Sequence, residues 1–294
     1  MKKADKLYSI AWAMPALALY AILFIFPLIA GLYSSMTDWT MGKAEARFIG
    51  LGNFAFILND PELLGSIRNT FLYTIIVVVF KNLLGFFLAV AVNIDIGRRV
   101  KVNDFFRTVF YLPAVLSTIV IGVVFTRILH PDGLLNNVLS SVGLSSLASD
   151  WLVNTKIVMI SIAGVSVWQW VGYHMAIYLA GMQGISHDYY EAAMIDGASS
   201  SKRLAKITVP LLMPTITINV ILSLIGGLKG FSEVYALTGG GPGHASQVLT
   251  TEVLAKFGEG RWGLGTALNT LLLALVAVIC VPLLTQMRKQ EVEG

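Results

Sequence analysis

Cysteine is almost missing from this chain: Cys280 stands alone, so neither a disulfide framework nor a cysteine-ligated structural metal can be built from it. Charge is scarce too. Only 13% of the 294 residues are Asp, Glu, Lys or Arg, against 56% that are hydrophobic, and the mean hydropathy is +0.74. A soluble domain needs a polar exterior that this composition does not supply, so the bilayer is the better solvent for the chain. No G-x-x-x-x-G-K-[ST] pattern occurs, which excludes a phosphate-binding loop of that type, and no convincing internal repeat is found. The net charge of +4 does not point to nucleic acid, because the basic residues are spread over short loops instead of lining one amphipathic face.

Long apolar runs are what the chain has in abundance. Six are long enough to cross a hydrocarbon core about 30 Å thick: Ile10 to Ser34, Ile67 to Asn93, Phe105 to Leu129, Ile157 to Met182, Pro210 to Phe231 and Trp262 to Met287. The first is too long for a secretory signal, contains Pro15 and Pro27 and lacks a cleavage site, so it reads as a retained helix. Six crossings put both termini on one face. That face carries Lys2, Lys3, Lys6, Arg98, Arg99, Lys101, Arg107, Lys202, Arg203, Lys206, Arg288 and Lys289, whereas the opposite loops mix their bases with Asp38, Glu45, Asp60, Glu62, Asp132 and Asp150. The positive-inside rule makes the basic face cytoplasmic. The expected architecture is therefore an all-α polytopic membrane protein with six transmembrane helices and cytoplasmic N- and C-termini. Its outer loops, Thr37 to Ser66 and His130 to Leu152, are too short to be separate domains.

Between the fourth and fifth runs lies a polar, basic island, YYEAAMIDGASSSKRLAKITVPLLMP, from Tyr189 to Pro214. Ser186 is suited to cap a short helix bearing Tyr189, Ala192 and Ala193, and Gly197 supplies the permissive backbone that ends it. Ser199 or Ser200 then starts a second helix with Leu204 and Ile207, and Pro210 and Pro214 mark entry into the fifth run. Glu191 and Asp196 are available to arginines of another protein.

These residues resemble the EAA loop of ABC importer permeases: Glu191, Ala192, Ala193, Asp196, Gly197, Ala198, Ile207, Pro210 and Pro214 fall in register, and Leu204 stands where the family often has Phe. LTGGGPG at Leu237 to Gly243, preceded by LKGFSEVYA, is similar to the segment after the fifth span of the carbohydrate-uptake, maltose-type branch. The resemblance implies a type I ABC importer permease fold, with residues 1–66 as first helix and outer loop, 67–287 as permease core and 288–294 as cytoplasmic tail. Residues 186–209 form the coupling loop. It implies a multi-pass protein of a prokaryotic inner or plasma membrane that imports a sugar, oligosaccharide or related polyol. Catalysis is not expected on this chain. ATP and Mg would sit on two partner ATP-binding subunits, beside a second permease subunit and an extracytoplasmic substrate-binding protein. Glu191, Ala192, Ala193, Asp196, Gly197, Ala198, Leu204 and Ile207 would receive the ATPase's push, and the outer loop of Gly239, Gly240, Gly241 and Pro242 would face the receptor.

For the substrate path, Lys81 sits near the centre of the second run, where an ammonium is costly unless it faces protein, water or ligand. A substrate donor and a charge bonded to carbonyls at a helix interface are equally open readings. Gln169 and Tyr173, one turn apart in the fourth run, are favoured as a pore-facing pair, whereas Trp168 and Trp170 read as packing. By resemblance to maltose-type permeases, Tyr173, Ser223 and Gly227 would contact the sugar. In the fifth run Gly226 and Gly230 form a G-x-x-x-G pair, read as close packing ahead of a hinge. Two competing classes remain: an ion-gradient-driven secondary transporter that uses Lys81 for coupling, and a non-transporting scaffold. Neither accounts for the EAA pattern.

Overall fold

The computed structural model describes residues 13–43, 45–93 and 100–293, with side chains over 105–286 of the last stretch. Lys2, Lys3, Lys6, Arg98, Arg99 and the start of the first expected span at Ile10 lie outside the described residues, as do Gly294 and the side chains of Lys101, Arg288 and Lys289. Among the described residues the regular structure is helical apart from one antiparallel bridge, Thr37 to Phe48. In chain order the helices are α1 (Met14–Ser35), α2 (Gly52–Asn59), α3 (Pro61–Asn93), α4 (Val100–Val115), α5 (Thr118–Ile128), α6 (Leu134–Ser141), α7 (Val158–Gln183), α8 (His187–Ile195), α9 (Ser200–Leu211), α10 (Met213–Leu228), α11 (Ser232–Thr238), α12 (Leu249–Gly258) and α13 (Trp262–Glu293).

Three of these, α1, α3 and α13 over Trp262–Gln286, are long and apolar enough to cross a bilayer, and there are up to five candidates if each of two bent helix pairs is one crossing. The expected fourth span is α7, whose 26 residues reach about 39 Å at 1.5 Å per residue. Ser161, Ser166, Gln169 and His174 dilute its apolarity. Ser166, Gln169 and His174 are all buried, the place for polar groups on a helix surrounded by protein.

Proline decides where the other helices bend. Pro27 has no N–H for the Leu23 carbonyl, and the ladder of α1 opens into a π-turn over Ala21–Ile25 beside it. The third apolar run, expected as one crossing, is broken: α4 carries Pro113 in its last turn, Ser117 is extended at φ −60° and ψ 129°, and α5 leaves at 96°. The fifth run bends by 69° between α9 and α10, at Leu212, flanked by Pro210 and Pro214.

The chain divides into two compact units. The first contains the described residues as far as Pro61 together with Glu252–Leu273. In it Arg261 lies over the Phe56 ring at 5.0 Å and Trp39 meets Trp262 edge-on at 4.9 Å. Asp38 accepts from Lys43 Nζ and from the Arg47 N–H, each at 2.8 Å, and these bonds hold its carboxyl below the usual carboxylate range.

The second unit, Glu62–Thr251 with the residues from Ala274 onward, is organised around α7. One apolar cluster joins Tyr73 and Val77 of α3, Ile121 of α5, Ile162 and Ala163 of α7 and Val234 and Leu237 of α11. A second joins Ala89 and Val92 to Met175, Tyr178, Leu179 and Met182, with Leu212 at the α9–α10 bend. Between lipid-solvated helices such burial gains through packing, since lipid tails are as apolar as the core, so close fit matters more than area. Gly172 shows the fit: a Cβ there would stand 1.9 Å from the Phe110 carbonyl oxygen, so glycine is what lets the backbone of α4 lie on α7.

Candidate functional site

At the basic island, α8 is capped at both ends by its own sequence. Ser186 Oγ accepts the Asp188 N–H at 3.3 Å, and Asp188 places a negative charge in the first turn. At the other end Gly197 takes φ +72°, its N–H donates to the Met194 carbonyl at 3.0 Å, and the Ala198 N–H reaches back to Ala193 at 2.9 Å. That is the paired pattern of a Schellman cap, which requires a left-handed residue at Gly197. Ser199 Oγ then accepts the Lys202 N–H at 3.4 Å to start α9, and Tyr190 Oη bonds Thr208 Oγ1 at 2.9 Å, tying the two helices together.

The cap holds a surface in place. Glu191, Ala192, Asp196 and Gly197 are exposed, while Ala193, Ala198, Leu204 and Ile207 are half-buried beside them. Tyr189, Met194 and Ile195 are 56%, 49% and 88% exposed, a concentration of large apolar side chains next to carboxylates at Glu191 and Asp196. Sequence reasoning listed neither Met194 nor Ile195. Their signal was present: a pair of large apolar residues in the last turn of a short helix that otherwise carries polar side chains, tyrosines and two alanines. Replacing Ser186 by alanine removes about 1 kcal/mol of capping. Fraying of α8 is expected to rise about fivefold, and hydrogen exchange at Asp188 is the check.

Inside the membrane-type region a polar seam runs between α3, α7, α10 and α11. Glu233 Oε1 accepts from Trp170 Nε1 at 3.0 Å and from Ser166 Oγ at 3.2 Å, and Tyr73 Oη donates to Ser166 at 2.9 Å. Farther along, Tyr178 Oη donates to Asn82 Oδ1 at 2.8 Å, and Asn82 Nδ2 donates to Ser223 Oγ at 2.7 Å. Asn219 Nδ2 donates to the His174 carbonyl at 3.2 Å, and its Oδ1 pairs with His174 Nδ1 at 2.8 Å. Between these groups stands Lys81, 6% exposed, with no hydrogen bond or ion pair to any described residue. Its charge is felt by His174, and Glu233 acts on it from beyond ion-pair distance. A lysine only 6% exposed in the middle of an apolar helix is a functional candidate by its expense.

Of the expected path residues, Ser223 belongs to this seam, and Tyr173 is half-buried, edge-on to Trp170 and His174 with centroids 6.1 and 5.5 Å away. Gly227 is buried against the backbone of Thr74, where a Cβ would come within 3.0 Å. Gly230 is similarly pressed by Tyr73, while Gly226 has nothing within 4 Å, so tight packing in this stretch is made by Gly227 and Gly230. Gln169 stands apart from the seam. It is fully buried at the α4–α5 break, where Nε2 donates to the Leu116 carbonyl at 3.3 Å and to Thr118 Oγ1 at 3.0 Å, satisfying backbone left open there. The residues that sequence reasoning missed are Glu233, Asn82, His174, Tyr178 and Asn219. Each is a polar group in or beside an apolar run, and that alone was the available signal.

The glycine loop after α11 is folded onto its own unit. Gly239, Gly240 and Gly243 have φ of +62°, +99° and +57°. Thr238 Oγ1 and Ser246 Oγ bond at 2.8 Å, and Asn69 Nδ2 donates to the carbonyls of His244, Ala245 and Gln247. Gly239 is exposed, Gly241 and Pro242 are half-exposed, and Gly240 is buried against Gln247. No group of three or more His, Cys, Asp or Glu suited to a metal occurs among the described residues.

Residues 81–289 match the family described as binding-protein-dependent transport system inner membrane component. The chain is 35% identical over 281 residues to a probable ABC transporter permease protein, YurN, of Bacillus subtilis, with 95% of each chain covered. It is 29% identical over 292 residues to the multiple sugar-binding transport system permease protein MsmF of Streptococcus mutans, with 99% of each covered. Its fold matches a chain of the bacterial alginate ABC transporter solved in complex with alginate pentasaccharide-bound periplasmic protein, at a TM-score of 0.82 and 21% identity, over 96% of this chain and 94% of that one.

Proposed function

We propose that this chain, which belongs to the family of inner membrane components of binding-protein-dependent transport systems, is the permease subunit of an ATP-driven ABC importer for a sugar, oligosaccharide or related polyol. The substrate class is supported by relatives named for sugar transport, among them MsmF. In this reading the chain crosses the prokaryotic membrane six times, with α7 as one crossing and both termini cytoplasmic. Residues 67–287 form the permease core behind a first helix and outer loop, with a short tail from 288. It performs no catalysis. Two partner ATP-binding subunits hold ATP and Mg, a second permease subunit completes the pathway, and an extracytoplasmic binding protein delivers substrate against the loop of Gly239, Gly240, Gly241 and Pro242.

The observation that carries the reading is the Schellman-capped helix α8, which presents Tyr189, Met194 and Ile195 beside Glu191 and Asp196 on the basic face. A stiff helix with exposed apolar side chains is a surface made for a partner. Closure of the ATPases would press on it, and α9, tied to α8 through Tyr190 and Thr208, would pass the motion through the bend at Leu212 into α10. Lys81, Tyr173 and Ser223 would then line the path that opens and closes, whereas Gly227, expected there by resemblance, is taken up by packing on Thr74.

The test is affinity purification of the tagged chain from native membranes in mild detergent, with mass spectrometry and an ATPase assay in the presence of candidate sugars. Recovery of an ATPase, a second permease and a sugar receptor is expected. Uptake that survives ATP depletion and collapses with an ion gradient would replace this reading with the secondary transporter.

A further inference from the structure

Helices α3 and α7 run side by side in the same direction. Tyr73 of α3 donates to Ser166 of α7 at 2.9 Å, and about three turns farther along α3 a Cβ at Gly85 would stand 3.0 Å from the His174 Cβ. Lys81 falls between these two contacts, one turn before Gly85. Midway between Ser166 and His174 on α7 is Trp170, whose Nε1 donates to Glu233 Oε1 at 3.0 Å. The register therefore brings Lys81 and Glu233 to one level of the seam, and Glu233 acts on Lys81 electrostatically from beyond ion-pair distance. Each keeps a polar atom unused. Glu233 spends Oε1 on Trp170 and Ser166, while its Oε2 and Lys81 Nζ bond no described residue. Polar atoms sealed away without a partner occur elsewhere among the described residues, at Gln169 Oε1 and Glu252 Oε2, but not here: Lys81 Nζ and Glu233 Oε2 retain accessible surface.

We propose that Glu233 and Lys81 together set the charge specificity of the path: they grip hydroxyls of an uncharged sugar ring and reject carboxylated, phosphorylated and amino sugars. The assignment rests on the reading of the chain as a sugar permease. A hydroxyl both accepts and donates, so it can take a hydrogen bond from Lys81 Nζ, which only donates, and give one to Glu233 Oε2, which only accepts. A ligand carboxylate or phosphate gains from Lys81 what it loses to Glu233, and it still sheds its own hydration. Loss of the lysine's proton would leave Glu233 alone, which opposes an anion more strongly. A ligand ammonium meets the mirror-image balance. Removing one charge should therefore reverse the selection. In Glu233→Gln the amide oxygen still accepts from Trp170 and Ser166, so the charge is lost while those bonds are kept.

The test uses the whole complex in lipid nanodiscs with the extracytoplasmic receptor left out, because that protein has a selectivity of its own. Binding of glucose, glucuronate and glucosamine, which differ at one ring substituent and in charge, is read by saturation-transfer NMR. The wild type should bind glucose about tenfold better than either charged sugar, the scale of one unit charge acting within a protein. Glu233→Gln should put glucuronate first, and Lys81→Met should put glucosamine first. A wild type that binds glucuronate as well as glucose, or none of the three, overturns the proposal, as does a reversal in fewer than both variants. A second measurement needs no sugar. Lys81→Cys in a Cys280→Ser background should react about tenfold faster with a cationic than with an anionic methanethiosulfonate, relative to a free thiol in solution, and Glu233→Gln should abolish that preference. Equal rates before that change, or no reaction, also overturn it. The importer reading is judged separately, by the subunits recovered in the same preparation and by ATP dependence, so failure of one is distinguishable from failure of the other.

Discussion

Replacing Gly197 by proline is expected to abolish substrate uptake and substrate-stimulated ATP hydrolysis while the chain still inserts and is extracted as a folded protein. Gly197 sits at φ +72° and donates its N–H to Met194, so the turn depends on a conformation and a bond that proline forbids together. The local penalty is about 3 kcal/mol or more, which lowers the population with α8 correctly presented more than about 100-fold. No side chain is crowded out, because nothing lies within 4 Å of the position a Cβ would take. Only backbone conformation is altered. Gly197→Asn, which tolerates the left-handed region, should therefore retain uptake within about threefold. Proteoliposome transport and ATPase assays on both variants are the measurement, and normal uptake by the proline variant would remove the coupling role from this loop.

Lys81→Met is expected to weaken transport at low substrate between about tenfold and about 100-fold, the range of a hydrogen bond from a charged donor, without lowering the thermal stability of the complex. The direction follows from burial. Lys81 is 6% exposed and makes no hydrogen bond or ion pair with any described residue, so methionine of similar length removes the expense of a largely buried lysine without breaking a bond to any of them. Glu233 keeps Trp170 and Ser166 in either background. Because Lys81 and Glu233 act on each other electrostatically, Glu233→Gln should have a smaller effect in the Lys81→Met background than alone, with a coupling of at least about 0.5 kcal/mol. Wild-type transport kinetics in Lys81→Met would assign the lysine to packing.

The local structure of the basic island was largely legible in the sequence because its determinants are local. Ser186 as cap, Gly197 as turn and Ser199 as second cap act within a few residues of themselves, and each does in the structure what its chemistry allows. The break in the third apolar run was not legible from hydropathy. Pro113 marked a weakness, but a 96° turn also needs a donor for the open backbone carbonyl of Leu116, and that comes from Gln169, more than fifty residues away. The same residue illustrates the limit of helical spacing. Gln169 and Tyr173 are one turn apart, yet Gln169 serves the α4–α5 break while Tyr173 meets Trp170 and His174.

Composition and periodicity by themselves determined that this chain is helical and belongs in a membrane, because a low charge content and long apolar runs leave no other solvent in which the backbone can be satisfied. The order of residues in the island determined α8, its caps and its turn, because those bonds close over short stretches of chain. Only the tertiary structure decided which polar side chains share a place. The meeting of Glu233 with Trp170 and Ser166, of Asn82 with Tyr178 and Ser223, and the isolation of Lys81 among them arise where α3, α7, α10 and α11 converge. Such encounters depend on helix rotation and close approach at residues such as Gly172 and Gly227, and these are set by packing between segments far apart in the chain.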